Sequence, residues 1–445
     1  MDLTYLLDWT NLLLRWAHVI VAIAWIGSSF YFVFLDNSLL QPGDPALQAK
    51  GVDGELWAVH GGGFYNPQKY LVAPKSLPEH LHWFFWESYS TWLTGFALFT
   101  VMYLFNASNF LIDKNVHDWS PAAAVTAALA FLAVFWVVYD LICRVVGERS
   151  VAEQGAKVGG DSLVAVLVLV YVVAASWAAC QLFAGRAAFL MVGAMMATAM
   201  SANVFFWIIP GQKTVIAQMK AGQPVQAIHG QRARQRSVHN TYFTLPVLIA
   251  MLSNHYGWLY QARHNWLVLV LLMLAGALIR HSFVVRHKAL ATGKRVPWEW
   301  AAGGTALLLG LAVWLAPPPQ PKAVAAAPVT FAEMRSVLDL RCALCHNAAV
   351  QQKNVALHTP ELLKQHAQNV YQQSVVLKLM PMNNATQITD AERALIKLWF
   401  DGGAPVQLIR SLGLEGRGSK RPARSPCSLQ RPPEADQGPP AARGR

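Results

Sequence analysis

Long apolar runs rich in Trp, Leu, Val, Ala and Phe, separated by short polar connections, fill the first 318 residues of the chain. Each run approaches the ~20 residues that carry an α-helix across a hydrocarbon core about 30 Å thick. The pattern predicts eight spans, near residues 12–35, 84–106, 121–142, 162–184, 187–209, 241–260, 264–285 and 299–317. The first run lacks a basic start and a small-residue cleavage site, so it is expected to stay as an anchor rather than be cut as a signal peptide.

After Pro317-Pro318-Pro319-Gln320-Pro321 the pattern changes. Residues 319–328 read as a semi-rigid Pro/Ala-rich linker. Residues 329–405 read as a small helical domain, with capping boxes at Thr330-x-x-Glu333 and Thr389-x-x-Glu392. The second of these opens a helix predicted to carry Ala394, Leu395, Leu398 and Trp399 on one face and to stop at Gly402-Gly403. Residues 406–445 mix Arg, Pro, Gly and Ser with little apolar content, which predicts a disordered basic tail in which Cys427 is an exposed thiol without a role. The expected fold class is all-α: a polytopic membrane helix bundle of about eight spans over 1–318, fused to the small domain.

The net charge of +12 adds orientation. The first, third, fifth and seventh connections hold sixteen Lys and Arg, whereas the second, fourth and sixth hold only Lys114, Arg186 and Arg263. Positive charge marks the cytoplasmic side, so both chain ends are expected outside it, with membrane lipid around the bundle. The charge is then topological, and nucleic acid is not an expected partner.

The chemistry is concentrated in Cys342-Ala343-Leu344-Cys345-His346. Two thiols three positions apart, followed directly by histidine, form the attachment pattern of a c-type haem. The thiols bond the vinyl groups and His346 is the proximal iron ligand. A zinc half-site would need a second ligand pair, yet Cys143, Cys180 and Cys427 are isolated. A redox dithiol would need a βαβ context, which is not visible. Met380, followed by Pro381, is the expected sixth ligand, with Met382 its rival. An opening helix, the haem motif, a Met-Pro loop and a closing helix resemble the class I cytochrome c fold. At roughly eighty residues such a domain holds little core without its haem. Haem is attached in this way outside the bacterial cytoplasm, which agrees with the charge bias.

Ionisable residues inside spans are functional candidates. His18, His255 and His264 fall toward the periplasmic side, and His80, His82, His239 and His281 toward the cytoplasmic side. His239 and His255, roughly 24 Å apart along one helix, cannot share a site. His18 and His255 are the pair that could hold a b-type haem in the bundle, with interface hydrogen bonding and proton transfer as the alternatives. The first connection holds the densest polar motif, Gly54-Glu55 through His60-Gly61-Gly62-Gly63-Phe64-Tyr65-Asn66. Its His-Gly-Gly-Gly is similar to an esterase oxyanion loop, but the chain has no Gly-x-Ser-x-Gly elbow, so a hydrolase is excluded. Its glycines are either a flexible turn or a place where backbone approaches a flat anionic ligand.

Arg15-Trp16-Ala17-His18, Ala24 through Phe30, Gly54 through Tyr65, His82 through Glu87, and Ser253-Asn254-His255-Tyr256, together with the fused haem motif, resemble the membrane-bound, cytochrome c-linked urate oxidases, or urate hydroxylases. The resemblance covers the chain to about residue 405. It implies an oxidoreductase of the bacterial inner membrane that converts urate to 5-hydroxyisourate. Electrons would go to the haem c and on to soluble cytochrome c or a terminal oxidase, without hydrogen peroxide. A planar anion suits a Gly- and aromatic-lined site, and His60, Tyr65, Asn66, His82 and Glu87 are the catalytic residues expected there. Urate bound from the cytoplasm would leave electrons some 30 Å of bilayer to cross, which calls for an intramembrane relay or a pocket near the periplasmic face. The residues also fit a membrane cytochrome subunit of a quinol or other dehydrogenase; a bare tether would need neither the histidines nor the first connection.

Overall fold

The computed structural model describes residues 3–70, 73–151, 155–316 and 329–406. The expected linker and nearly all of the expected tail, with Cys427, lie outside the described residues. Helix α1 (Leu3–Ser38) is followed by α2 (Pro45–Lys50) and four short strands, β1 (Val52–Glu55), β2 (Ala58–His60), β3 (Gly63–Tyr65) and β4 (Gln68–Tyr70). Then come α3 (Trp86–Phe99), prolonged as a π-helix to Leu104, α4 (Ala107–Phe110), α5 (Pro121–Val145), β5 (Glu148–Val151), β6 (Gly155–Val158) and α6 (Asp161–Leu182). Helix α7 (Gly185–Ala202) runs through a π-turn into α8 (Ile209–Lys220), and α9 (Ala227–Leu252), α10 (Gly257–Tyr260), α11 (Asn265–Ala291) and α12 (Glu299–Trp314) complete the bundle.

Among the described residues, five helical segments are long and apolar enough to cross a membrane: Tyr5–Ser38, Pro121–Val145, Asp161–Leu182, Gly185–Lys220 and Asn265–Ala291. The other three expected spans are also helical, in α3 with its π extension, in α9 and in α12. Helix α12 has 16 residues, and the first half of α9 is polar. Much of what reads as basic connection is helix: Arg232, Arg234 and Arg236 lie inside α9, and Arg286 and Lys288 inside α11.

The chain is mostly helical, as expected, with a few short strands besides. Strands β1 and β4 pair antiparallel around a β2–β3 hairpin, and β5 and β6 form a third two-stranded sheet. The cause is local: Gly61 and Gly62 have φ of 57° and 82°, the pair of positive angles that a two-residue hairpin turn demands. His-Gly-Gly-Gly is turn chemistry.

Helix α7 sits at the centre of the bundle. Its sequence is apolar and small all round, so it is buried on every side. Ala187, Ala188, Phe189, Met191, Val192 and Met195 are fully enclosed. Gly193 lets α9 approach until an added Cβ would lie 3.0 Å from that of Ala250.

The second core belongs to the small domain, α13 (Phe331–Arg341), α14 (Pro360–Gln365), α15 (Ala367–Tyr371) and α16 (Asp390–Asp401). Both capping boxes form: Glu333 Oε2 accepts from Thr330 N at 2.8 Å, and Glu392 Oε2 accepts from Thr389 N at 2.7 Å. The inward face of α16 is rotated from the expected one. Arg393, Ile396 and Trp399 are buried, while Ala394 and Leu398 face out. The rotation is possible because Arg393 donates to the carbonyls of Ser374 and Met380, which satisfies a buried guanidinium. Trp399, with 0% exposure, donates Nε1–H to Pro405 O at 2.9 Å. Trp399→Ala is expected to cost about 3–5 kcal/mol, read as earlier urea-induced protease sensitivity of residues 329–406 in the solubilised full chain.

Bundle and small domain pack as one unit. Lys353 pairs with Asp8 at 2.8 Å, Asn383 donates to Asn109 O at 2.7 Å, and Gln387 donates to Asn115 at 3.0 Å. Gln261 donates to Lys378 O, and Gly257 lies so close to the carbonyls of Leu377 and Lys378 that a methyl group there would strike both. The loop carrying Met380 is therefore one edge that meets the bundle, and Lys353 marks another.

Candidate functional site

The residues expected to act from the first connection do not converge. His60 and Tyr65 are exposed at the β2–β3 hairpin, beside Phe64 at 78% exposure. Asn66 spends its amide on the hairpin, donating to Glu55 Oε2 at 3.0 Å and Leu56 O at 3.2 Å while accepting from Gln68. His82 is exposed with its ring edge-on to Phe84, 4.7 Å between centroids. Glu87 stands half-buried in the first turn of α3. Among the described residues, none of the five hydrogen-bonds another.

His18 packs against α3, with Nδ1 3.1 Å from Thr94 Oγ1 and its ring 2.8 Å from where a Cβ on Gly95 would be. His255 is exposed in the turn after α9. The inward polar group there is its neighbour Asn254, which accepts from Tyr103 OH at 3.0 Å and Arg186 Nε at 3.2 Å.

In the small domain His346 Nδ1–H donates to Val355 O at 2.9 Å. A carbonyl can only accept, so the proton sits on Nδ1 and the Nε2 lone pair is left for a ligand bond, an arrangement that metal-binding imidazoles use. Cys342 and Cys345 are unpaired thiols. Burial pushes the Cys342 thiol up to about 11, opposite to the shift of a reactive redox dithiol. Arg393 ties the Met380 carbonyl into the domain at 2.9 Å.

The bundle holds a constellation that reading the chain as spans and connections missed. A cavity of about 620 Å³ opens between α6, α9 and α11. Its walls are Val168, Val172, Phe243, Val270 and Met273, and its polar end is Asp161, Gln231, Arg234, Gln235, His239 and Tyr242. Behind it, Tyr139 OH lies 2.8 Å from His239 Nδ1, and Asn203 Nδ2 donates both to Tyr139 OH and to Asn240 Oδ1, each at 3.0 Å. Beside this chain a buried ion pair joins Arg236, 2% exposed, to Asp140 Oδ1 at 2.7 Å, where Trp207 Nε1 also donates at 2.7 Å. The available signal was periodicity: Gln231, Gln235, His239 and Tyr242 recur at helical spacing across a segment that looks like a connection by composition.

A polytopic helical protein with apolar helices of membrane-crossing length and one amphiphilic cavity defines the class. The chain belongs to the urate oxidase N-terminal family, whose model matches residues 4–316. No curated protein and no solved structure matches it.

Proposed function

We infer that the chain oxidises urate to 5-hydroxyisourate and delivers the electrons to a covalent c-type haem in its own C-terminal domain. One observation supports this reading: a chain of the urate oxidase N-terminal family carries Cys-x-x-Cys-His at residues 342–346, and the bond from His346 Nδ1 to Val355 O leaves Nε2 free for an iron. Cys342 and Cys345 would hold the haem and His346 and Met380 would ligate its iron, which when bound supplies a one-electron acceptor. The urate monoanion gains the elements of water and loses one proton and two electrons. With the electrons leaving singly through the protein, oxygen need not be the acceptor and no peroxide is formed. Soluble cytochrome c or a terminal oxidase would take them on.

Residues 1–318 serve in this reading as an eight-span bundle in the bacterial inner membrane, and 329–405 as a periplasmic cytochrome domain. The sixteen-to-three bias of Lys and Arg supports that orientation. The Met380 loop meets the bundle at Gly257, just beyond α9, so electrons released at the other end of α9 would need a relay within the bundle to reach the haem.

The test is an anaerobic difference spectrum of membranes containing the protein, before and after urate is added. Growth of a reduced c-type band, with 5-hydroxyisourate formed and no peroxide, is expected. Reduction by quinol and indifference to urate would replace this reading with that of a quinol dehydrogenase subunit.

A further inference from the structure

We propose that the cavity between α6, α9 and α11 is the urate site, with Arg234 and His239 binding the anion; this rests on the function proposed above. Three arginines stand at alternate positions in the first half of α9. Arg232 pairs with Glu148, its Nε 2.9 Å from Oε1, and Arg236 pairs with Asp140. Arg234, which lines the cavity and is itself exposed, has no carboxylate partner among the described residues. A cation left unpaired beside a cavity is a place for an anion.

His239 also lines the cavity. Its Nδ1 lies 2.8 Å from Tyr139 OH, and the tautomer in which Tyr139 donates this bond leaves Nε2–H as a donor for an anion.

Acceptors are present as well. Pro246 lies inside α9 and has no N–H to give to the carbonyl of Tyr242, four residues earlier, and both residues line the cavity. Asp161 provides a carboxylate at the same end. Donors, acceptors and one unpaired cation beside flat apolar walls match a planar heterocyclic anion that carries ring N–H groups, carbonyls and one negative charge. A quinol offers two hydroxyl donors but carries no negative charge, and would leave Arg234 without a counterion.

Two full-length variants test the site. Arg234→Gln removes the cation, and Ala165→Trp fills the cavity while leaving every polar group in place. Both should keep the wild-type amount of dithionite-reducible c-type haem per protein. Each should weaken anaerobic urate binding, measured by equilibrium dialysis, and raise KM for urate-driven haem reduction about 10- to 100-fold, the range for a lost hydrogen bond to a charged group. If both variants bind and oxidise urate as the wild type does, the cavity is not the site, although the functional reading stands. If the wild type neither binds urate nor is reduced by it, that reading fails and this assignment with it. If Ala165→Trp instead blocks reduction by a short-chain quinol, the cavity is a quinol site and the assignment is overturned.

Discussion

Replacing His346 with Ala is expected to abolish urate-driven electron release and to remove the low-spin c-type spectrum. In the haem reading the imidazole is the proximal ligand, and the local backbone fixes where it stands. Leu357 N donates to His346 O at 2.9 Å, Gln352 N to Cys345 O at 3.1 Å, and the ring itself is held by Val355 O. Alanine keeps the backbone bonds and removes the imidazole that the proposed iron would need. Cys342→Ser with Cys345→Ser should go further and eliminate covalent haem on a denaturing gel. Both changes should lower the stability of residues 329–406, because a domain of this size without its haem has little core to bury. Urate-driven reduction surviving in His346→Ala would sink the haem assignment. A zinc or dithiol role would show instead as metal content or a reducible disulfide with no c-type absorbance in the wild type.

The helices were legible where the chain solves one problem at a time. Apolar runs of membrane length announce α1, α5, α6, α7 and α11 because hydrocarbon permits few alternatives, and Thr330 and Thr389 announce their helix starts because a cap is a local bond. The cavity was not legible, since it depends on which faces of α6, α9 and α11 meet. Arg234 and Arg236 are two residues apart with nothing in composition to separate them, yet one lines a cavity and the other is sealed against Asp140. His60 and Tyr65 flank three glycines, two of which, Gly61 and Gly62, form the hairpin turn, a role that the pairing of β2 with β3 reveals. Asn254 was overlooked beside His255 because an amide in a loop carries no signal until Tyr103 and Arg186 are seen to point at it.

Asp140→Ala should be among the most destabilising single changes in the bundle. Asp140 is 8% exposed and accepts from both Arg236 and Trp207 through the same oxygen. Removing it leaves a guanidinium with 2% exposure uncompensated, and one nitrogen of that guanidinium, Nη1, already lacks a partner among the described residues. Breaking one side of a buried pair costs about 3–5 kcal/mol, because the remaining charge keeps its desolvation penalty and loses its counterion. In the detergent-solubilised protein that should appear as a fall in Tm on the order of 10 °C. Removing both charges tests the cause: Asp140→Leu with Arg236→Met should recover most of the loss, since two apolar side chains of similar volume carry no desolvation penalty. Recovery in the double variant would mean that the single change acts through the stranded Arg236. A double variant as unstable as Asp140→Ala would mean instead that the bond to Trp207 and the packing around it set the cost.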